Sequence, residues 1–192
     1  MAAKILTLVF LLATAGWAGA QAPRPAVSAP EVFSGTAQLK NATGAVSGTL
    51  EVRLRRLTPE FDRKSVETAL KLNGYPGFLT AIRNAPDVGQ LVLGGGAPIA
   101  IRYAQERTDA AGHSLIVVTD KPAYFVGGGR AESAPRKGYE VAVIEIRLDG
   151  KGAGTGSMAA AARVRPNGDG GVLLDDYSEA LITITGVTRK PL

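Results

Sequence analysis

The chain has 192 residues, of which 45% are hydrophobic and 20% are charged, a composition typical of one globular domain rather than of a disordered or fibrous chain. Lysine and arginine number 22 against 17 aspartate and glutamate, a formal net charge of +5. The absence of cysteine excludes disulfides, cysteine zinc sites, iron–sulfur clusters and thiol nucleophiles, and the single histidine excludes a two-histidine metal site within one chain.

The first 20 residues, 1–20, have the pattern of a secretory signal peptide. Lys4 precedes an apolar run over 5–15, and small residues follow at 18–20. The run is shorter than the roughly 20 residues that cross a bilayer, and no later segment resembles a membrane span. We therefore expect cleavage before Gln21 and a periplasmic or extracellular location, with no transmembrane segment in the mature chain.

The rest of the chain divides into a short leader and one domain. Residues 21–31 are rich in proline and alanine and lack apolar periodicity, which indicates an extended leader. Residues 32–189 predict a single β-rich domain whose dominant period is two. For example, Leu50, Val52 and Leu54 alternate with charged residues, so that one face of the strand is apolar and the other is solvated.

A helical hairpin is predicted near 58–85. Thr58 is the expected N-cap because Pro59 follows it at a position that suits the first helical residue. The first helical run stops at Gly74, and a second short run ends before Pro86. We expect this insertion to pack against the sheet.

Further strands are predicted at 88–93, 98–104, 114–119, 123–126, 139–148, 152–165, 172–175 and 180–187. The strand 139–148 changes phase, which predicts either a bulge near Val143 and Ile144 or cover on both faces. The stretch Ala159–Ala162 is alternatively one helical turn, since alanine favours helix. About nine or ten strands with one helical insertion predict a mainly β (α+β) fold, an antiparallel sandwich or partly closed barrel.

Sequence motifs for catalysis are weak. No G-x-S-x-G or S-x-x-K string occurs, and the lone His113 is interpreted as a turn residue. His113 and Ser114 would point to opposite faces of a strand, so they cannot form a nucleophile–base pair. Glu145 is the acid of most interest, because its side chain points away from those of Ile144 and Ile146.

Phosphate and metal sites also lack their usual spacing. The glycine clusters 94–96, 127–129 and 168–171 are interpreted as turns, because none continues into a phosphate-binding motif. The Asn and Asp residues within 167–176 match no EF-hand loop, which favours a hairpin. We expect no metal and no cofactor.

The charge distribution does not indicate a nucleic-acid partner. Without residues 1–20 the chain keeps 21 basic and 17 acidic residues, a net charge of +4. The densest basic cluster, Arg53, Arg55 and Arg56, lies on an alternating segment and is interpreted as a solvated strand face. No aromatic residues are interleaved with it to stack bases.

Three short strings, in this order after the helical hairpin, resemble a group of exported bacterial β-rich proteins of unassigned function. They are Ile101-Arg102-Tyr103-Ala104, Thr119-Asp120-Lys121-Pro122 and Ile144-Glu145-Ile146. The resemblance covers about residues 32–188. It implies one compact exported domain and supplies no catalytic residues.

We therefore expect a non-catalytic exported domain that binds either a small apolar ligand inside the barrel or sandwich, or an envelope or extracellular protein partner. Aromatic residues near strand ends and turns are the candidates for a ligand-binding wall: Tyr103, Tyr124, Phe125 and Tyr139. The alternatives are a hydrolase that uses acidic residues or His113, and a structural or assembly protein of the envelope.

Overall fold

The computed structural model describes residues 30–41, 44–109, 112–124 and 136–192. The predicted signal peptide, most of the predicted leader, Phe125 and the glycine cluster 127–129 lie outside these residues. The described elements are β1 (Glu31–Asn41), β2 (Gly44–Leu54), α1 (Glu60–Asn84), β3 (Gly89–Leu93), β4 (Ile99–Asp109), β5 (Gly112–Thr119), β6 (Val141–Leu148), β7 (Ala153–Pro166), β8 (Val172–Tyr177) and β9 (Ile182–Pro191). The mainly β prediction is confirmed.

Eight of these strands close an antiparallel barrel. Strands β1 to β7 pair in chain order, and β9 lies between β7 and β1, so that hydrogen bonding runs around the whole wall. The extra strand β8 pairs with β7. Of the predicted sandwich and partly closed barrel, the barrel is the observed architecture, and it is fully closed, so its eight strands lack the edges that an open sheet would expose.

Strand β7 belongs to two layers. It pairs with β6 from Gly154 to Ala162 and with β9 as far as Met158, and from Ala162 onward it pairs with β8. An irregularity in its pairing with β6, between Ala159 and Ala162, changes which face of the sheet its side chains occupy. As a result, Ala160 packs in the barrel interior, whereas Val164 packs in an apolar cluster on the outside of the barrel. The stretch Ala159–Ala162 is therefore part of a strand, and the helical alternative is wrong.

The barrel interior is filled with side chains. Inward-facing residues from all eight barrel strands form one apolar cluster, whose members with no exposed surface include Val52, Leu91, Ile101, Val117, Ile144, Met158 and Ile184. A side chain that lined a water-sized cavity would keep some accessible surface, so these described side chains leave no such cavity in the middle of the barrel. Eight strands enclose a space that side chains can fill by themselves.

Helix α1 packs on the outside of the barrel. Its buried residues Val66, Phe78 and Ile82 join a second apolar cluster with outward-facing residues of β4 to β8. The helix is interrupted at Gly74, whose φ is 63°, close to Pro76. The two helical runs expected from the sequence are thus present, joined at the predicted glycine.

Thr58 does not cap this helix, contrary to the prediction. Its Oγ1 accepts a hydrogen bond from the Ala104 backbone N–H at 2.8 Å, and its own N–H donates to the Ala104 carbonyl at 3.0 Å. Pro59 occupies the N-cap position without a side-chain bond. A tertiary partner on β4 therefore uses the hydroxyl that the local pattern assigns to the helix.

Strand β6 is covered on both faces, as one of the two predictions for its phase change requires. Val141 and Val143 pack in the outer cluster, whereas Ala142 and Ile144 pack in the barrel interior. The irregular register in its pairing with β7 lies between Val141 and Val143, so the bulge predicted near Val143 and Ile144 is misplaced.

The two ends of the barrel are closed differently. At one end the buried Ala123 donates its N–H to the Ala160 carbonyl at 2.8 Å, and Tyr124 packs against the interior cluster. Neither residue is in a strand, so the edge strand predicted at 123–126 is wrong for its described part. At the other end the chain places charged residues inside the wall.

These charged residues form an ion cluster that we call the barrel clamp: Glu31 on β1, Glu106 on β4 and Arg189 on β9. Arg189 donates to the Glu31 carboxylate at 2.8 Å and to the Glu106 carboxylate at 3.0 Å, and its guanidinium lies over the Phe33 ring. The three side chains are only 10–19% exposed. The barrel clamp thus joins both terminal strands to the opposite wall.

Candidate functional site

The aromatic residues proposed as a ligand-binding wall lie in different surroundings. Tyr103 is fully buried in the outer cluster beneath α1, whereas Tyr124 packs against the barrel interior. Tyr139 is buried just before β6, and Phe125 lies outside the described residues. The described members are therefore divided between the two sides of the barrel wall.

Tyr103 is the centre of a polar network. Its hydroxyl lies 2.8 Å from Gln105 Oε1 and 3.2 Å from Glu67 Oε1, and Arg63 donates to the same Glu67 oxygen at 3.1 Å. Burial, together with the nearby Glu67 carboxylate, raises the pKa of the Tyr103 hydroxyl well above its ordinary value. The hydroxyl therefore stays protonated, in keeping with a structural donor.

Two arginines lie over the ring of Tyr139. Its hydroxyl donates to Asp176 Oδ2 at 2.6 Å, and the guanidinium carbons of Arg136 and Arg163 are 5.1 and 5.7 Å from its ring centroid. Arg163 is itself paired with Asp175 at 2.9 Å. The Tyr139 hydrogen bond lowers the pKa of the Asp176 carboxyl and raises the pKa of the Tyr139 hydroxyl.

These two shifts predict the pH dependence of stability. Because folding lowers the pKa of Asp176, its carboxylate stabilises the fold at pH values above the ordinary pKa of 3.8. This contribution is lost as the pH falls through the lowered pKa. Because folding raises the pKa of Tyr139, its protonated hydroxyl stabilises the fold at pH values below the ordinary pKa of 10.0. This contribution is lost as the pH rises through the raised pKa. We expect Tyr139→Phe to flatten the stability profile in both windows, measured as urea unfolding midpoints from about pH 2 to about pH 12.

The matched control for this prediction is Tyr177→Phe. Tyr177 is the next residue to Asp176 and is 42% exposed, and its backbone N–H, which the substitution retains, donates to Asp176 Oδ1 at 2.8 Å. We expect its profile to follow the wild type. A Tyr139→Phe profile that runs parallel to the wild type at both extremes would contradict the role assigned to the hydrogen bond.

His113 and Glu145, the residues of the hydrolase hypothesis, lie on opposite sides of the barrel wall. His113 has the parity of Leu115 and Val117, which face the interior, and its Nδ1 lies 3.0 Å from Thr108 Oγ1. Glu145 is on the outer face, as its predicted orientation requires, because Ile144 and Ile146 are in the interior cluster. The two side chains therefore do not form one catalytic site.

Glu145 lines a depression on the outside of β5, β6 and β7, which we call the outer groove. It has two adjoining parts that share Glu145 and Ser157. The smaller part, of about 20 Å³, is lined by apolar residues: Ile116, Val143, Leu173 and Leu174. The larger part, of about 220 Å³, adds Arg147, Thr155 and Gly156.

The register of the barrel positions these groups. Glu145 pairs across strands with Ile116 on one side and with Ser157 on the other, and Arg147 pairs with Thr155 in the next row. Arg147 donates two hydrogen bonds to Glu145 Oε1, at 3.0 and 3.1 Å. Among the described residues both of these hydrogen bonds go to Oε1 and none goes to Oε2, and Glu145 lines both parts of the groove.

Strand β7, which lines the groove beside β6, approaches β6 closely. An added Cβ at Gly154 or Gly156 would overlap the carbonyl oxygen of Arg147 or Glu145, respectively. These two glycines therefore permit the close approach of β7 to β6. Sequence reasoning found Glu145 from its parity but not Ser157, Leu173 or Leu174, because nothing local shows that β8 turns back over β5 and β6.

The remaining sequence hypotheses concern metals and polyanions. The glycine clusters 94–96 and 168–171 form turns, as predicted. In the described ranges no group of three or more acidic or histidine side chains is close enough to hold a metal ion. Arg53 and Arg55 pair with Glu51 and Asp87 on the surface, which agrees with a solvated strand face.

The structure also bears on membrane insertion. In the part of the chain that the structure describes, α1 is not apolar enough over a sufficient length to span a bilayer.

No protein-family model matches this chain, and no curated protein and no solved structure matches it significantly.

Proposed function

We propose that this chain is an exported, non-catalytic binding domain that engages a protein partner at the outer groove. The observation that carries the proposal is that the barrel interior is filled while the groove keeps polar atoms beside an apolar floor. A rigid barrel then acts as a scaffold, and recognition takes place on its surface. Export is proposed from the signal-peptide pattern of 1–20.

The size of the groove favours a protein over a small molecule. Pockets that enclose small ligands usually measure about 300–1,000 Å³, whereas the larger part of the groove measures about 220 Å³. A hollow of this size suits one anchoring side chain from a partner, with the polar rim excluding water around it. Leu173 and Leu174 supply the apolar contact, and Glu145 and Ser157 supply the polar contacts.

The proposal is tested by placing a photo-crosslinking amino acid at Leu174 and producing the full chain in its native host. We expect a discrete crosslinked protein from Leu174 and none from Thr49, an exposed residue of β2 on the opposite side of the barrel. Ser157→Trp fills the groove and should abolish the crosslink, whereas Thr49→Trp should leave it intact. Equal crosslinking from Leu174 and Thr49, or a crosslink that survives Ser157→Trp, would contradict the proposal.

Mass spectrometry of the mature protein separates the other possibilities. We expect the native and denaturing spectra to give the same mass for the chain, with no bound small molecule in the native spectrum. The measured mass should correspond to a chain that begins at Gln21. A small molecule released on denaturation would support the apolar-ligand alternative instead. A chain that retained Met1 would rule out cleavage of the signal peptide.

A further inference from the structure

The turn between β7 and β8 is held by contacts with β4, more than 60 residues away in the chain. Within the turn, the Asn167 N–H donates to the Gly171 carbonyl at 3.1 Å and the Gly170 N–H donates to the Asn167 carbonyl at 3.2 Å. Arg107 of β4 donates to the Gly170 carbonyl through Nη2. The same nitrogen lies 3.2 Å from Gln105 Oε1.

Three alternate residues of β4 continue this network to α1. Tyr103, Gln105 and Arg107 have the same parity and face outward. Gln105 Oε1 accepts from Arg107 and from the Tyr103 hydroxyl, and that hydroxyl also lies 3.2 Å from Glu67 of α1. The turn and the helix are thus attached to the barrel wall by one continuous set of hydrogen bonds.

The turn is shaped to admit the Arg107 side chain. Gly171 has a φ of +90°, and an added Cβ there would overlap Arg107 Nη2 and Gln105 Oε1. Gly168 is in the same turn, but its φ is not positive and its Cβ position faces open space. Gly170 has a similar φ of +91°, but the nearest atom to its Cβ position is Glu67 Oε2 at 3.5 Å, so Arg107 excludes a side chain at Gly171 and not at Gly170 or Gly168.

The turn leads directly into the wall of the outer groove. Val172, which follows Gly171, is fully buried in the outer cluster, and the next two residues, Leu173 and Leu174, line the groove. We infer that Arg107 is a positioning residue that sets this wall by holding the β7–β8 turn against β4. The inference rests on the proposed function only in treating the groove as the binding site.

Hydrogen exchange followed by mass spectrometry tests the inference on the full mature chain without any partner. We expect Arg107→Met to raise amide exchange in 167–174 about tenfold while exchange in β2 and β3 stays at the wild-type rate. The matched control is Arg165→Met, at an exposed arginine of β7 beside the same turn, which should leave 167–174 unchanged. Gly171→Ala should raise exchange in 167–174 more than Gly170→Ala, which has the same backbone strain at φ +91° but no overlap with Arg107.

The double variant carrying Arg107→Met and Gly171→Ala gives a further check, because each change disrupts the same contact between Arg107 and the β7–β8 turn. Its exchange in 167–174 should be no faster than in the more affected single variant. Unchanged exchange in Arg107→Met, or a uniform increase that includes β2 and β3, would overturn the inference. Since exchange needs no partner, this result is separate from the proposed function, which fails if the wild-type chain gives no groove-specific crosslink.

Discussion

Replacing Gly154 by alanine should destabilise the protein by about 3 kcal/mol, because the barrel closes through a strand contact that leaves no room for a side chain. An added Cβ would overlap the Arg147 carbonyl oxygen and lie 2.9 Å from its carbon and 3.1 Å from Leu148 Cα. These are backbone atoms of β6, so the clash cannot be relieved by rotating a flexible side chain. Either β7 must move away from β6 or the hydrogen bonds between them must lengthen.

The measurement is urea unfolding followed by far-ultraviolet circular dichroism, since the one tryptophan, Trp17, lies within the predicted signal peptide. The matched control is Gly150→Ala in the preceding turn, where the Cβ position faces open space and φ is not positive. We expect this control to be neutral or to stabilise by up to about 1 kcal/mol, because alanine restricts the unfolded chain. Equal urea unfolding midpoints for Gly154→Ala and Gly150→Ala would show that β6 and β7 leave room for a side chain at Gly154.

Replacing Arg189 by methionine should also cost about 3 kcal/mol, because it removes the cation that holds two carboxylates inside the barrel end. Glu31 and Glu106 would remain largely shielded from water, with like charges and without this partner. Methionine keeps an apolar side chain over Phe33, so most of the loss would come from the charge.

The control for Arg189 is Arg53→Met, which breaks the ion pair with Glu51 on the outer surface. There the two side chains are 46% and 37% exposed, and solvent screens the pair, so we expect a loss of less than about 1 kcal/mol. Both variants are compared by unfolding in urea at low and moderate salt. Similar losses for Arg189→Met and Arg53→Met would mean that the barrel clamp contributes no more than a surface pair.

Much of the secondary structure could be predicted because period-two patterns are local. The alternation of Leu50, Val52 and Leu54 gives the buried face of β2. The change of parity in 139–148 indicates either a bulge or cover on both faces, and β6 is covered on both faces. Gly74 interrupts the helix where the sequence indicates. Two of the wrong predictions, Thr58 as an N-cap and 123–126 as an edge strand, concern residues whose partners lie more than 30 residues away in the chain.

The candidate site was harder to predict than the fold. Parity shows that Glu145 faces away from Ile144 and Ile146, but it does not show what that face meets. Ser157 is beside Glu145 only because β6 and β7 pair in one register, and Leu174 is there only because β8 returns over the barrel. The aromatic residues were chosen for their residue type, and their separation across the wall follows from which face each position occupies.

The sequence by itself determined the absence of cysteine chemistry, the number and faces of most strands, the helical insertion and the positions of the turns. These follow from residue type and short-range period. Only the tertiary structure decided that β9 closes the barrel, that β7 changes layers at Ala160, that Arg189 holds two carboxylates, and that a groove forms beside Glu145. The reason is physical: side-chain period specifies which face is buried, whereas strand neighbours and register depend on long-range hydrogen bonds and packing.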